Sequence, residues 1–393
     1  MKRVRLISVT TQFSDGDWIE SKDQASQGIR LIQTGNVGEG VYLNKENKSK
    51  FISEETFKKL RCTEIFPGDV LVSRLPDPIG RSCIIPDISQ KMITAVDCTI
   101  LRFDNTKCLP KYFVFFSKSN TYHFQIEQST FGATRQRISR KNLEQITVPL
   151  PSIEEQRKIV EKLDTIQSAI DNKKQQLSLL EEAVKSEFVE MFGENPVESG
   201  KWKVETLGEV CSSIVRGPFG SALKKDFFVP KSDKTIKVYE QKHAIQKSST
   251  IGSYYITQEK YEELKRFECK PGDFIMSCSG TMGEFYQLPE GCEKGIINQA
   301  LCKFTLNEKL EPLFFYEWMK QSIHNLETRG SGIKNVAAVS FVKQMPMIVP
   351  SKDIQRGYTN FVQQIDKSKF VVKQQIADLQ ELLDSKMQEY FGE

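Results

Sequence analysis

A chain of 393 residues, 39% of them hydrophobic, exceeds what one core usually serves, so two globular units are expected. Its 55 basic residues stand against 51 acidic ones, a formal charge of only +4, which excludes a global electropositive field and requires any nucleic-acid surface to be local. Nine cysteines without a C-x-x-C pair argue against a disulfide framework or a zinc knuckle, and no run approaches the roughly 20 apolar residues of a membrane helix, so a soluble, cytoplasmic protein is expected.

In chain order, Met1-Lys2-Arg3 opens like a signal peptide, but Thr10, Thr11, Gln12, Ser14 and Asp15 end the apolar run too early. Residues 1–150 then mix short β-branched and aromatic runs, such as Ile29-Arg30-Leu31-Ile32 and Asp69-Val70-Leu71-Val72, with helix candidates over 53–60 and 111–128. Residues 151–194 follow as one helical run with Ile159, Leu163, Ile166, Ile170, Leu177, Leu180, Val184 and Met191 at heptad steps, Lys173 in the seam and Phe188 one place off it. Residues 195–349 are mixed again, with helix candidates over 258–266 and 313–326. Residues 350–393 repeat the helical run through Tyr358, Val362, Ile365, Val372, Ile376, Leu379, Leu383 and Tyr390, interrupted by Lys369 and Lys386. Each run begins just after a proline, Pro151 or Pro350, and ends at Gly193 or Gly392. About 40 residues at 1.5 Å each give a rod of roughly 60 Å. The two seams can pair with each other, pack on their own domains, or form a homodimer.

The chain is written twice. Pro151-Ser152 with Gln156-Arg157 returns as Pro350-Ser351 with Gln355-Arg356, and Met191-Phe192-Gly193-Glu194 returns as Tyr390-Phe391-Gly392-Glu393 at the same offset. Pro67-Gly68-Asp69 answers Pro271-Gly272-Asp273. A repeat of roughly 200 residues is the size of a domain, not of a solenoid unit, so the expectation is a duplicated α+β domain with a pseudo-twofold internal repeat.

Catalytic signatures are weak. Gly38-Glu39-Gly40 lacks the further Gly and the Lys-Ser/Thr of a phosphate loop. Asn195-Pro196 precedes Val197-Glu198, without the aromatic of an amino-methyltransferase pocket, and His123, His243 and His324 are scattered outside any H-E-x-x-H setting. No catalytic residue and no metal ligand is therefore assigned. Local charge is more informative. Residues 128–142 carry Arg135, Gln136, Arg137, Arg140 and Lys141 without an acid, and residues 328–352 carry Arg329, Ser331, Lys334, Asn335, Lys343 and Lys352, also without one. Such segments suit phosphates and base edges, although an isolated basic loop is more often only solvated. Upstream, the strand-like runs 29–36 and 236–243 open into polar loops holding Gln33, Thr34 and Asn36 in one copy and Gln241, Lys242 and His243 in the other. Diverged loops on a repeated scaffold fit two different half-sites. Arg74, Arg81, Arg216, Lys224 and Lys225 are further candidates.

With those features in this order, the chain resembles the specificity subunit of Type I restriction-modification systems along essentially its whole length. The likeness rests on Val148-Pro149-Leu150-Pro151-Ser152 and Val349-Pro350-Ser351 with their Gln-Arg pairs and heptad helices, on Trp202 with Leu207-Gly208-Glu209-Val210, and on both Pro-Gly-Asp turns. It implies two target recognition domains (1–150 and 195–349), each reading half of a gapped DNA site, separated by two long antiparallel spacer helices (151–194 and 350–393) that act as a ruler. It implies double-stranded DNA, two methyltransferase subunits and a motor-nuclease subunit as partners. S-adenosylmethionine, ATP and magnesium would sit on those partners and no cofactor on this chain. One departure stands out: the first copy lacks the Leu-Gly-Glu-Val opening and the Arg216-Gly217-Pro218-Phe219 segment, running instead through Asp15-Gly16-Asp17-Trp18. Two other classes predict different behaviour: a stand-alone, metal-dependent restriction endonuclease would cut DNA alone, and a coiled-coil protein scaffold would bind none.

Overall fold

The computed structural model describes residues 2–131, 136–279, 281–328 and 338–392, without the side chains of 131 and 324–328. The chain divides into two compact units, Met1–Leu177 with Val371–Glu393, and Ser178–Phe370. Each unit therefore takes one part of both helical runs.

In the first unit an antiparallel sheet runs in the order Thr10–Asp15, Cys98–Phe103, Val70–Ser73, Ser82–Ile84. A mixed sheet runs Lys50–Ile52, Ile29–Ile32, Met92–Thr94, Glu64–Ile65, with the two central strands parallel. The strands Ile29–Ile32 and Val70–Ser73 are buried at every position, which is why they do not alternate apolar with solvent-facing polar residues; Arg30 and Ser73 are themselves buried. The second unit repeats both sheets strand for strand: Cys211–Arg216, Leu301–Leu306, Phe274–Ser277, Phe285–Gln287, and Tyr255–Thr257, Thr235–Tyr239, Gly295–Ile297, Glu268–Cys269. The duplication seen in the sequence is thus a duplication of topology.

The paired motifs hold this scaffold. Gly68 (φ 92°) and Gly272 (φ 85°) occupy the left-handed region that side chains disfavour. The following Asp69 accepts from the Phe66 N–H (2.9 Å), and Asp273 from the Lys270 N–H (2.9 Å). Asp69 also receives both arms of Arg102, whereas Asp273 receives the Thr305 hydroxyl and lies 3.8 Å from Lys303. Gln156 and Gln355 are fully buried clamps. The Gln156 carbonyl accepts from the Leu109 N–H, and its amide donates to the carbonyls of Lys107 and Pro151. Gln355 does the same with the Glu311 N–H and the carbonyls of Lys309 and Pro350. Each clamp ties a long helix to the loop ahead of its domain's own helix.

The long helices span Ile153–Phe192 and Lys352–Phe391. In the first unit Ile159, Leu163 and Ile170 share a core with Leu383 and Phe391, and Ile166, Ile376 and Leu379 pack on it half-buried. In the second unit Val184, Phe188 and Phe192 share a core with Tyr358 and Val362, with Ile365 beside it. In each unit the beginning of one helix therefore meets the end of the other, an antiparallel arrangement. Val372 is buried, while Leu177 and Leu180 are half-buried. Two details depart from the heptad reading. At the helix ends the buried residues are Phe188, Phe192 and Phe391, whereas Met191 and Tyr390 lie half-buried at the core margin. The stripe of a straight helix drifts by about 20° per heptad, so the last turns bury positions one place off the seam. The helix expected over 111–128 is two, Pro110–Phe116 and Asn120–Gln128. Ser117 turns its hydroxyl to Ser82 (2.7 Å), and Ser119 caps the second helix at the Tyr122 N–H.

Candidate nucleic-acid interface

In the first unit, the loops 16–18, 33–36, 74–81 and 95–97 and the basic segment from 136 meet at the carboxyl ends of the parallel strands Ile29–Ile32 and Met92–Thr94. The segment after Thr10–Asp15 enters through the Asp17 N–H to the Thr94 carbonyl (2.8 Å). The hairpin loop 74–81 is fixed by Arg81, which donates to the carbonyls of Thr34, Val37, Leu75, Pro76 and Pro78. Arg74 donates to the Val96 carbonyl (2.6 Å) and lies 3.5 Å from Asp15. The basic segment joins through the Ile138 N–H to the Arg74 carbonyl, and Gln136 shares a cleft with Pro76, Pro78, Ile79 and Thr130. The loop 33–36 completes the cluster.

The second unit builds the same end. The Gly217 N–H donates to the Leu301 carbonyl, the Asn298 N–H to the Tyr239 carbonyl and the Cys278 N–H to the Ala300 carbonyl. Gln241 donates to the carbonyls of Ser279 and Thr281, holding the hairpin loop that answers 74–81. Arg216 donates to the Gln299 carbonyl (3.2 Å) and lies over the Phe219 ring at 4.9 Å.

Several predicted readers prove to be framework. Asn36 is buried, accepts from the Gln33 N–H (3.0 Å) and donates to the Leu43 carbonyl (2.9 Å). His243 is its counterpart: in the neutral ring Nε2 donates to the Ile251 carbonyl (2.7 Å) and Nδ1 accepts from the Glu240 N–H (2.9 Å), with the Glu240 carbonyl 3.0 Å from the same Nδ1. Both residues cap a short helical turn and pin the loop that follows, so neither is presented to a ligand. Burial holds the His243 pKa below the usual histidine range. Arg74 is likewise buried among internal partners. A polar residue just past a strand serves a cap as readily as a surface, and the sequence does not show which way it points.

Other candidates keep an outward position. Gln136, Arg137, Arg140 and Lys141 are exposed, with Arg140 3.3 Å from Glu144, and Ser139 caps the turn that carries Arg140 and Lys141. Gln33 and Thr34 are half-buried. Lys242 is partly exposed, 2.8 Å from Glu240 and over the Tyr254 ring at 5.5 Å. Arg135, Arg329, Ser331, Lys334 and Asn335 lie outside the described residues. Two residues that sequence reasoning passed over are Trp18 and Phe219, the first 70% and the second 65% exposed. The Gly16 N–H bonds the Cys98 carbonyl as Gly217 bonds Leu301, so Asp15-Gly16-Asp17-Trp18 corresponds to Arg216-Gly217-Pro218-Phe219 residue by residue. The apparent departure of the first copy is a substitution on a common path.

Among the described residues, no group of three or more His, Cys, Asp or Glu side chains could hold a metal. Burial raises the thiols of Cys83, Cys108 and Cys211 to about 12, which removes them as nucleophiles at neutral pH. No described helix is long and apolar enough to cross a membrane.

The family described as Type I restriction modification DNA specificity domain matches residues 14–182 and 199–381. The chain is 21% identical over 348 residues to the EcoKI specificity subunit of a type I restriction enzyme from Escherichia coli, covering 83% of this chain and 73% of that one. Against the MjaX specificity subunit from Methanocaldococcus jannaschii it is 21% identical over 325 residues, covering 80% and 74%. In fold it is similar to a chain from a study of complex assembly and conformational transition in a type I restriction-modification system (TM-score 0.63, 16% identity, 99% and 97% covered). It is also similar to the crystal structure of the Type I system S subunit from M. genitalium (TM-score 0.53, 14% identity, 100% and 96% covered). Two copies of one domain, each with a convergent loop end and half of a helix pair, and matched over most of the sequence, place this chain in the family of type I restriction-modification specificity subunits, the non-catalytic, DNA-recognition components of those systems.

Proposed function

We propose that the chain reads a bipartite, gapped DNA site, one half with each unit, and thereby directs the methyltransferase and restriction subunits of its complex. The observation that carries this reading is the repeated loop end: one scaffold, pinned by Asn36 in one unit and His243 in the other, presents different side chains at matching places. Gln136, Arg137, Arg140 and Lys141 are the first unit's outward polar and basic groups, able to neutralise phosphates and reach base edges. In the second unit Arg216 and Lys242 contribute basic groups to the loop end from other positions. Helices of about 60 Å set the gap, well over the roughly 34 Å of one DNA turn. Two methyltransferase subunits supply S-adenosylmethionine chemistry, and the ATP- and magnesium-dependent motor nuclease joins them. Titrating duplex DNA against the complex at increasing salt tests the assignment. Arg137→Ala and Lys141→Ala should each weaken binding and lower the salt slope by about 0.9 for each phosphate that is no longer neutralised. An unchanged affinity and slope in both variants would remove this segment from the interface.

A further inference from the structure

Trp18 and Phe219 stand at the same place in the two units and are, among the described residues, the most exposed aromatics of the two loop ends. A single exposed aromatic needs no explanation, because most surfaces carry a few. Recurrence at one topological position, in copies whose neighbouring residues have changed from Asp to Arg and from Asp to Pro, does need one. The backbone is built to deliver these rings. A Cβ at Gly16 would collide with the Thr94 carbonyl oxygen, and one at Gly217 with that of Asn298, so in both units the chain passes against the end of a parallel strand and turns outward one residue before the ring-bearing pair. Each ring is then steadied at its edge or face: Trp18 Nε1 donates to Glu20 (3.2 Å), and Arg216 lies over Phe219.

Resting on the reading given above, we infer that Trp18 and Phe219 are the stacking contacts of the two half-sites, each packing on a base or sugar of the duplex beside the phosphate-binding basic groups. A ring supplies apolar and π contact to a sugar or to a base edge such as the thymine methyl, which distinguishes bases without adding charge. The carboxylates near Trp18 are engaged within the unit: Asp15 by Thr99 and Arg74, Asp17 by the Thr63 N–H, Glu20 by Lys22, and Asp23 by the Glu20 N–H. The ring therefore approaches DNA past acids that already have partners.

The test uses the full chain in complex with its methyltransferase subunits and a pool of random duplexes, with sequencing of the bound fraction and titration of the selected duplex. Trp18→Ala should lower affinity about tenfold, leave the salt slope unchanged, and relax selection in one half-site only. Phe219→Ala should do the same in the other half. Trp18→Phe should restore most of the affinity, which separates removal of the ring from failure to fold. Both alanine variants binding and selecting as the parent does would overturn the inference while leaving the split-site reading intact. Alanine variants that bind DNA normally but release the methyltransferase would overturn it in favour of a protein interface. A parent complex that selects no duplex would overturn both readings.

Discussion

At the scale of single residues, the pairing of Asn36 with His243 shows how a side chain that resembles a reader becomes a fastener. Both follow a buried strand, both accept from the backbone N–H three residues earlier, and both pin a later carbonyl. Their equivalence was visible in the sequence as a register match; their direction was not, because caps and reading loops draw on the same polar residues. The substitution has one consequence that Asn36 lacks. The His243 ring is buried, and burial lowers its pKa in the fold although the Glu240 and Ile251 carbonyls face its two nitrogens. The unfolded chain then binds the proton more readily, so this contribution is full above the ordinary histidine pKa and is lost as pH falls through it toward the lower folded value. Urea midpoints from about pH 7.5 down to about pH 5 should fall more steeply for the parent than for His243→Asn. Equal slopes would contradict this account of the cap.

At the scale of elements, the glutamine clamps and the aromatic helix ends carry the join between each helix and its domain. The Gln-Arg pairs were legible as repeats, but only the structure separates their parts. Gln156 and Gln355 are fully buried, whereas Arg157 is exposed and Arg356 pairs with Glu311 at 3.1 Å near the surface. Gln156→Ala and Gln355→Ala each strand a buried N–H and two carbonyls, and each should cost about 1–3 kcal/mol by denaturant unfolding. Arg157→Ala should fall within about 0.5 kcal/mol of the parent. The heptad pattern located both helices to within a few residues yet placed Met191 and Tyr390 where Phe192 and Phe391 belong. Phe391 packs 5.4 Å from Tyr112 and 5.7 Å from Phe116 between ring centroids, and Thr121 donates to its carbonyl. Phe391→Ala should therefore cost about 3–5 kcal/mol, and Tyr390→Ala clearly less. Equal losses would restore the strict heptad seam. The break at Ser117–Ser119 escaped the sequence reading because the apolar period continues across it, and only the Ser82 hydrogen bond and the new cap interrupt the helix.

At the scale of the whole molecule, the duplication was the most legible feature, since offsets between repeated motifs survive loop divergence. Strand order was not legible, because the pairings in each sheet join segments distant in sequence, as Thr10–Asp15 joins Cys98–Phe103. Nor was it evident that each compact unit would include part of both long helices, which follows from seam residues that finish the cores of the domains. In each unit, segments of both long helices are part of the core, so a seam substitution acts on the unit that contains it. The most direct measurement is selection from random duplexes by the chain co-purified with its methyltransferase subunits, followed by sequencing of the bound fraction. A two-part motif with one fixed gap is the predicted result; a single continuous motif, or no enrichment by a well-folded complex, would contradict the split-site account.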